Sequence, residues 1–158
     1  DENSMTSFED RYEMCRLALE EYDYLEVSDF ENTFSERSYT YRTLTKYKEL
    51  HPKDDLYFIM GGDSLDYFDK WCHPEIIASK CTILVVVREA FEKKQMEEKI
   101  EAIGRLFPCD IRLCGCPKYD AASSEIRSII KKQNLDSSEL DALLNANVRK
   151  YISDKNLY

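Results

Sequence analysis

Two glycines, an acid and a tryptophan occur close together in the stretch "YFIMGGDSLDYFDKW", which runs from Tyr57 to Trp71. Glycines let a ligand approach the backbone closely, and an acid at a strand end can accept hydrogen bonds from ribose hydroxyls. Trp71 could stack on an aromatic ring, although a single tryptophan is more often part of a core. The stretch therefore indicates either a strand-to-helix turn, with Asp63 or Ser64 capping the helix, or part of a nucleotide site.

Hydroxyl and basic side chains at two predicted helix starts could bind phosphate. The segments "SYTYRT" (38–43) and "SSEIR" (123–127) each begin a predicted helix, whose first N–H groups are free to bind an anion. In the second segment Ser123 or Ser124 would cap the helix, and Arg127 would project from its first turn as part of a phosphate clamp. The alternative for both segments is a plain helix cap with an exposed side chain.

The spacing of apolar residues predicts an alternation of helices and strands that would position these residues. The predicted helices lie at 8–22, 40–51, 96–107, 123–132 and 139–152, with short ones beginning at Ser64 and Pro74, and the predicted strands lie at 24–30, 56–60, 81–87 and 109–114. This alternation predicts a parallel sheet with helices on both faces. We expect the apolar run 56–60 to be buried on both faces, and ligands to bind where the strands end.

Composition limits the classes of protein that need to be considered. The chain has 158 residues, 43% of them hydrophobic, which favours one globular domain, and a net charge of −9, which argues against binding nucleic acid or an anionic membrane. No apolar run reaches the roughly 18 residues of a spanning helix, and we expect no signal peptide because the first residues are acidic. Six scattered cysteines indicate reduced thiols in the cytoplasm. "CGC" at 114–116 leaves a metal or redox site as the alternative.

The order and spacing of several segments resemble the bacterial nicotinate-nucleotide adenylyltransferase family. The matching segments cover nearly the whole chain and are "FEDRYEMCRLAL", "VSDFE", "SYTYRTL", "LYFIMGGDSLDYFDKW", "ILVVVRE", "SSEIR" and "VRKYISDKNLY". The resemblance implies a doubly wound α/β fold of the Rossmann-like nucleotidylyltransferase type. It also implies transfer of an adenylyl group from ATP to nicotinate mononucleotide, giving deamido-NAD and pyrophosphate, with Mg²⁺ on the triphosphate.

The resemblance also implies roles for individual residues. Trp71 would stack on the nicotinate ring, and the backbone around Thr40 and Cys72 would meet the pyridine carboxylate. Ser124 and Arg127 match the family's I-S-x-T-x-I-R motif, which holds the ATP phosphates, although Ala121 and Ala122 replace its first two residues. Arg88, directly after the strand "ILVVV", is a weaker match for the same role, and its side chain would face either the ligand or solvent. The residues that would line the junction between the two nucleotides are Gly61, Gly62 and Asp63.

The family's H-x-G-H motif has no match in this sequence. The two histidines, His51 and His73, both lie outside such a motif, so no catalytic residue is assigned. We expect residues 1–158 to be the C-terminal major part of a single nucleotidylyltransferase domain, lacking its first strand, helix and strand and inactive alone. Two partners remain possible. One is a second copy of the chain, forming a homo-oligomer, and the other is a separate N-terminal fragment. The alternative functions are adenylyl transfer to nicotinamide mononucleotide or phosphopantetheine, and a non-catalytic nucleotide-binding module.

Overall fold

The computed structural model describes residues 6–34, 37–87, 90–116, 122–132 and 138–158, with residues 90–93 described by their backbone alone. The chain divides into two compact units. The larger unit comprises Glu31–Lys118, and the smaller unit comprises Asp1–Phe30 together with Tyr119–Tyr158. Each unit is described separately below.

The α-helices of the described residues follow most of the predicted positions. They are α1 (Phe8–Leu19), α2 (Thr40–Leu50), α3 (Gly62–Leu65), α4 (Pro74–Lys80), α5 (Ala90–Gly104), α6 (Ser123–Lys131), α7 (Ser138–Leu143) and α8 (Ala146–Lys155). Two 3₁₀-helices, Phe30–Thr33 and Phe68–Lys70, complete the helical segments of these ranges. No helix in the described ranges combines the length and the apolar character that crossing a membrane requires.

The larger unit contains a parallel three-stranded sheet. Its strands are β1 (Tyr57–Gly61), β2 (Thr82–Val87) and β3 (Ile111–Gly115), in the spatial order β1-β2-β3. Tyr57 pairs with Thr82, and Ile83 pairs with Ile111. Because parallel neighbours need crossover connections, α3 and α4 lie between β1 and β2 in sequence, and α5 lies between β2 and β3. The prediction of a parallel α/β sheet is confirmed.

The core of the larger unit lies under one face of this sheet. Alternate residues of β2 are buried, as expected for a strand with one fully covered face. Side chains from the helices complete the cluster, whose buried members include Leu65, Phe68, Ile77, Met96 and Ile103. Each such side chain contributes about 1.5–3 kcal/mol through burial, so this cluster holds the helices against the sheet.

The expectation that residues 56–60 are buried on both faces is wrong. Tyr57 is 54% exposed and Ile59 is 66% exposed, whereas Met60 is 6% exposed. The reason is the position of β1, which in the described residues pairs only with β2 and is therefore an edge strand. One face of β1 packs on the core through Phe58 and Met60, and the other face is open.

The smaller unit is helical in its described residues. α1 packs on α8, and the buried members of its core are Ile130, Leu140, Val148 and Ile152. The predicted strand at 24–30 is wrong, because these residues are irregular until a 3₁₀-helix begins at Phe30. A strand needs a neighbour to satisfy its backbone groups, and the described residues of this unit provide no other strand.

The predicted continuous helix at 139–152 is also wrong. It is divided into α7 and α8 by residues 144 and 145. Asn145 caps α8, since its side-chain Oδ1 accepts a hydrogen bond of 2.8 Å from the N–H of Asn147. Asparagine is a strong N-cap because it satisfies one of the free N–H groups at a helix start. The apolar spacing continues across this break, which explains why the pattern alone predicted one helix.

Candidate functional site

The residues Gly61, Gly62 and Asp63 line a cavity of about 430 Å³ at the carboxyl ends of β1 and β2. This is the end of a parallel sheet at which ligands bind. The other lining residues are Asp66, Val86, Gln95 and Met96. The prediction that Asp63 or Ser64 caps the next helix is wrong, because α3 begins at Gly62 and has no side-chain cap. The carboxylate of Asp63 is exposed at the cavity, where it can accept hydrogen bonds from a ligand.

The two glycines leave room beside side chains that line the cavity. The φ angle of Gly61 is −77°, which any residue can adopt. A β-carbon at Gly61 would lie 2.5 Å from Oδ1 of Asp63, and one at Gly62 would lie 3.3 Å from the sulfur of Met96. A side chain at either position would therefore displace a group that lines the cavity. In the sequence, these glycines were singled out by their position after a predicted apolar strand. The structure adds this steric reason.

Sequence reasoning missed four residues of the cavity: Asp66, Val86, Gln95 and Met96. Met96 belongs to a predicted helix, but the spacing of the apolar residues in that helix indicated only a core position for it. In the structure Met96 is 5% exposed and serves both roles, since it belongs to the core cluster and borders the cavity. Nothing in the sequence connects α5 with Gly61, because that contact depends on how the helix packs on the sheet.

Trp71 is partly buried and lies at the edge of the core. Its ring meets Phe58 at a centroid distance of 6.1 Å and an interplanar angle of 77°, and meets Phe68 at 5.7 Å and 64°. Edge-to-face contacts of this kind are favourable aromatic arrangements. They fix the plane of the indole ring and leave part of it accessible to a ligand.

The backbone N–H groups of Thr40 and Cys72 are available to an anion. Thr40 is the first residue of α2, and the preceding Tyr39 forms no side-chain cap. Within the ranges that the structure describes, neither Thr40 nor Cys72 donates a backbone hydrogen bond to a protein acceptor. Free N–H groups such as these can bind a carboxylate or a phosphate.

The structure brings the segments of Thr40 and Cys72 together. The ring of Tyr41 meets the ring of His73 at a centroid distance of 4.8 Å, and α2 packs against α4. Neither segment lines the cavity of Gly61 and Gly62. The predicted residues of the larger unit therefore form two groups, one at the strand ends and one at the adjoining starts of α2 and α4.

An ion pair connects the segment before Trp71 to α5. The Nζ atom of Lys99 donates to Oδ1 of Asp69 at 3.0 Å, and both side chains are about three-quarters buried. This hydrogen bond lowers the pKa of Asp69 below its usual value. Because α5 also carries Met96, the ion pair connects the helix that borders the cavity with the segment that carries the indole ring.

Ser124 and Arg127 lie on α6 of the smaller unit. The prediction that Ser123 or Ser124 caps this helix is wrong, because α6 begins at Ser123 and its N-cap, Ala122, forms no side-chain hydrogen bond. Nη2 of Arg127 instead donates to Oγ of Ser123 at 3.2 Å. The exposed guanidinium is therefore held near the start of the helix, which also favours an anion. Arg88, the third predicted phosphate ligand, lies outside the described residues.

The described residues contain no group of three or more histidine, cysteine or acidic side chains that could hold a metal ion. The six cysteines are free thiols, of which Cys81 is buried and Cys72 is exposed. Burial raises the pKa of the Cys81 thiol to about 11, so this thiol is unreactive at neutral pH.

Comparison with known proteins first gives the class to which this fold belongs. A family model described as cytidylyltransferase-like matches residues 1–129, so the fold is that of a Rossmann-like nucleotidyltransferase. A protein of Clostridium botulinum (strain Okra / Type B1) named probable nicotinate-nucleotide adenylyltransferase is 35% identical over 149 residues, which are 94% of this chain and 72% of that protein. A protein of the same name from Clostridium tetani is 38% identical over 129 residues, covering 77% of this chain and 61% of its own length. The chain therefore belongs to the nicotinate-nucleotide adenylyltransferase family.

Solved structures agree with this assignment. The nicotinic acid mononucleotide adenylyltransferase of Plasmodium falciparum complexed with APC has a TM-score of 0.76 and 26% identity, over 98% of this chain and 77% of that chain. The same enzyme complexed with NaAD has a TM-score of 0.73 and 25% identity, over 100% of this chain and 77% of that chain. The family and the Rossmann-like nucleotidylyltransferase fold predicted from the sequence are both confirmed.

Proposed function

We propose that this protein transfers the adenylyl group of ATP to nicotinate mononucleotide, giving deamido-NAD and pyrophosphate. The observation that carries the proposal is the arrangement at the starts of α2 and α4, in a chain of this family. There the free N–H groups of Thr40 and Cys72 occur in adjoining segments, and Trp71 directly precedes Cys72. Backbone donors beside an aromatic ring suit a flat ligand that carries an anion.

The mononucleotide would bind at this pair of segments. Its pyridine ring stacks on Trp71, whose plane is fixed by Phe58 and Phe68. Its carboxylate accepts hydrogen bonds from the N–H groups of Thr40 and Cys72. A carboxylate presents only acceptors, whereas the amide of nicotinamide mononucleotide also presents an NH₂ group that cannot accept. The two N–H donors therefore favour the acid.

The cavity at the strand ends would hold the junction between the two nucleotides. Gly61 and Gly62 provide room for a close approach of the backbone, and Asp63 accepts hydrogen bonds from ribose hydroxyls. The ATP phosphates would bind Ser124, Arg127 and Arg88, because guanidinium groups and hydroxyls suit phosphate oxygens. Support for Arg127 comes from its exposed guanidinium near the start of α6.

Mg²⁺ would enter on the triphosphate. This ion keeps several waters and usually needs one or two protein carboxylates besides substrate phosphates. The carboxylates of Asp63 and Asp66, both exposed at the cavity, fit that requirement. When bound there, Mg²⁺ would help to neutralise the charge of the phosphates.

The transfer is a single in-line displacement. A phosphate oxygen of nicotinate mononucleotide attacks the α-phosphorus of ATP, forming the new P–O bond of deamido-NAD. The bond between the α-phosphorus and the oxygen that bridges to the β-phosphorus breaks, and pyrophosphate leaves with that oxygen. No residue is adenylylated or phosphorylated, so the side chains act by positioning and by neutralising charge.

The same proposal assigns both units to one nucleotidylyltransferase domain in the cytoplasm. Residues of both units lie within the matched range 1–129, which supports one domain. Free thiols at Cys15, Cys72 and Cys116 are exposed, which suits a reducing compartment.

The test is a substrate panel with the full-length gene product. Purified protein is incubated with Mg²⁺-ATP and, in separate reactions, nicotinate mononucleotide, nicotinamide mononucleotide or phosphopantetheine, and the products are separated by chromatography. We expect the highest kcat/KM with nicotinate mononucleotide. A higher kcat/KM with either of the other acceptors would replace the proposed substrate, and binding of nucleotides without any product would favour a non-catalytic module.

A further inference from the structure

His73 adopts a conformation that its sequence neighbours do not require. Its backbone lies in the left-handed region, with φ 54° and ψ 57°, which is unfavourable for a residue with a β-carbon. The following Pro74 disfavours a right-handed helical conformation at His73, but an extended backbone would satisfy that restriction equally well. His73 is the N-cap of α4, yet its side chain makes no capping hydrogen bond. A strained residue of this kind persists only when surrounding contacts hold it in place.

The side chain of His73 provides those contacts. Its imidazole ring meets the ring of Tyr41 edge-on, at a centroid distance of 4.8 Å and an angle of 66°. On its own segment, Nδ1 of His73 lies 3.1 Å from Oε1 of Glu75. Tyr41 is held in turn by Arg42, whose Nε donates to the tyrosine hydroxyl at 2.9 Å. The two rings therefore connect the start of α2 to the start of α4.

Each ring is adjacent in sequence to one of the two free backbone donors. Tyr41 follows Thr40, and His73 follows Cys72. A contact between the rings fixes the spacing of the two N–H groups more directly than the packing of the helices further along. We infer that Tyr41 and His73 are positioning residues, which set the distance between the N–H groups that receive the carboxylate of the mononucleotide.

This inference rests on the proposed function and adds a determinant of specificity. Neither ring needs to touch the substrate. If the spacing is lost, the two donors no longer converge on one carboxylate, but stacking on Trp71 remains. The consequence is a loss of preference for the acid over the amide, rather than a general loss of mononucleotide binding.

The experiment compares binding of nicotinate mononucleotide and nicotinamide mononucleotide to full-length variants. Isothermal titration calorimetry with each ligand in turn gives the two dissociation constants and hence the acid-over-amide ratio. The variants are Tyr41→Leu, which removes the ring, and His73→Asn, which tolerates the left-handed backbone but also removes the ring. Each should weaken binding of the acid by about 2- to 12-fold, the range for aromatic pairs, with a smaller effect on the amide and an unchanged KM for ATP.

Two further variants separate positioning from folding. Tyr41→Phe keeps the ring and should restore the acid-over-amide ratio that Tyr41→Leu loses. Tyr47→Leu removes a similar contact, between Tyr47 and His51 at 5.6 Å, at the other end of α2. It should leave the ratio unchanged, and melting temperatures would confirm that all variants are folded.

The outcomes distinguish this inference from the proposed function. If the wild-type protein binds neither mononucleotide, the proposed function fails. If it binds the acid in preference to the amide, and Tyr41→Leu and His73→Asn keep the wild-type ratio, the positioning role is wrong. An equal fall in the ratio for Tyr47→Leu would also overturn it, because the cause would then be general loosening of α2.

Discussion

Replacing Trp71 by alanine should affect binding and stability by separate amounts that can be worked out from the structure. The indole ring loses two edge-to-face contacts, with Phe58 and Phe68, each contributing about 0.5–1.5 kcal/mol. The expected fall in the free energy of unfolding is therefore about 1–3 kcal/mol from these contacts. Loss of stacking on the pyridine ring should cost a further 1–3 kcal/mol or so of binding free energy, which weakens binding about 5- to 150-fold.

Phe107 provides the matched control. It contacts the same Phe68 ring, at a centroid distance of 6.3 Å and an angle of 70°. It belongs neither to the residues at the strand ends nor to those at the starts of α2 and α4. Phe107→Ala should therefore lower stability by a similar mechanism and leave binding of nicotinate mononucleotide unchanged. The assay is isothermal titration calorimetry at 25 °C, with melting curves of both variants recorded in parallel.

The two variants separate stacking from destabilisation. We predict weak binding only for Trp71→Ala. An unchanged affinity in Trp71→Ala would remove the indole from the binding site. Equal losses of affinity in Trp71→Ala and Phe107→Ala would show that loosening of the core around Phe68, rather than stacking, explains the effect.

Three other predictions test separate parts of the structure. Gly61→Ala should raise the KM for the nucleotide substrates severalfold, because the added methyl group displaces the carboxylate of Asp63. The melting temperature should be almost unchanged, and unchanged kinetics would contradict the prediction. Lys99→Met should have a lower melting temperature than the wild-type protein at pH values above about 3.9, the pKa of an aspartate in the unfolded chain. This difference in melting temperature should vanish as the pH falls through the lowered pKa of Asp69 in the folded protein. A difference that is independent of pH would refute the stabilising role of the ion pair. Peptide mass spectrometry after alkylation should show that Cys72 is modified faster than Cys81. Nicotinate mononucleotide should slow the reaction at Cys72 alone. If the ligand does not affect modification of Cys72, the mononucleotide binds elsewhere.

The sequence was sufficient for elements whose stability is decided along the chain. β2 is a continuous apolar run and was predicted correctly, because such a run is stable at the centre of a sheet. The strand predicted at 24–30 failed because a strand depends on a neighbour that local sequence does not reveal. The open face of β1 was missed for the same reason, since the pattern of residues 56–60 does not show which strands adjoin it.

The candidate site was predictable to a similar extent. The place of Gly61 and Gly62 follows from the rule that ligands bind where parallel strands end. Met96 reaches the same cavity from a helix that begins after the next strand, so tertiary packing alone brings it there. The left-handed backbone of His73 had no signal in the sequence, because residues other than glycine and asparagine rarely adopt it.

The most direct test of the proposed reaction follows the α-phosphate of ATP. The full-length gene product is incubated with Mg²⁺, nicotinate mononucleotide and ATP that carries a radioactive α-phosphate. We predict that the label appears in deamido-NAD and that the pyrophosphate released in equal amount is unlabelled. Label that stays in ATP, or that is released only as AMP, would contradict adenylyl transfer to the mononucleotide.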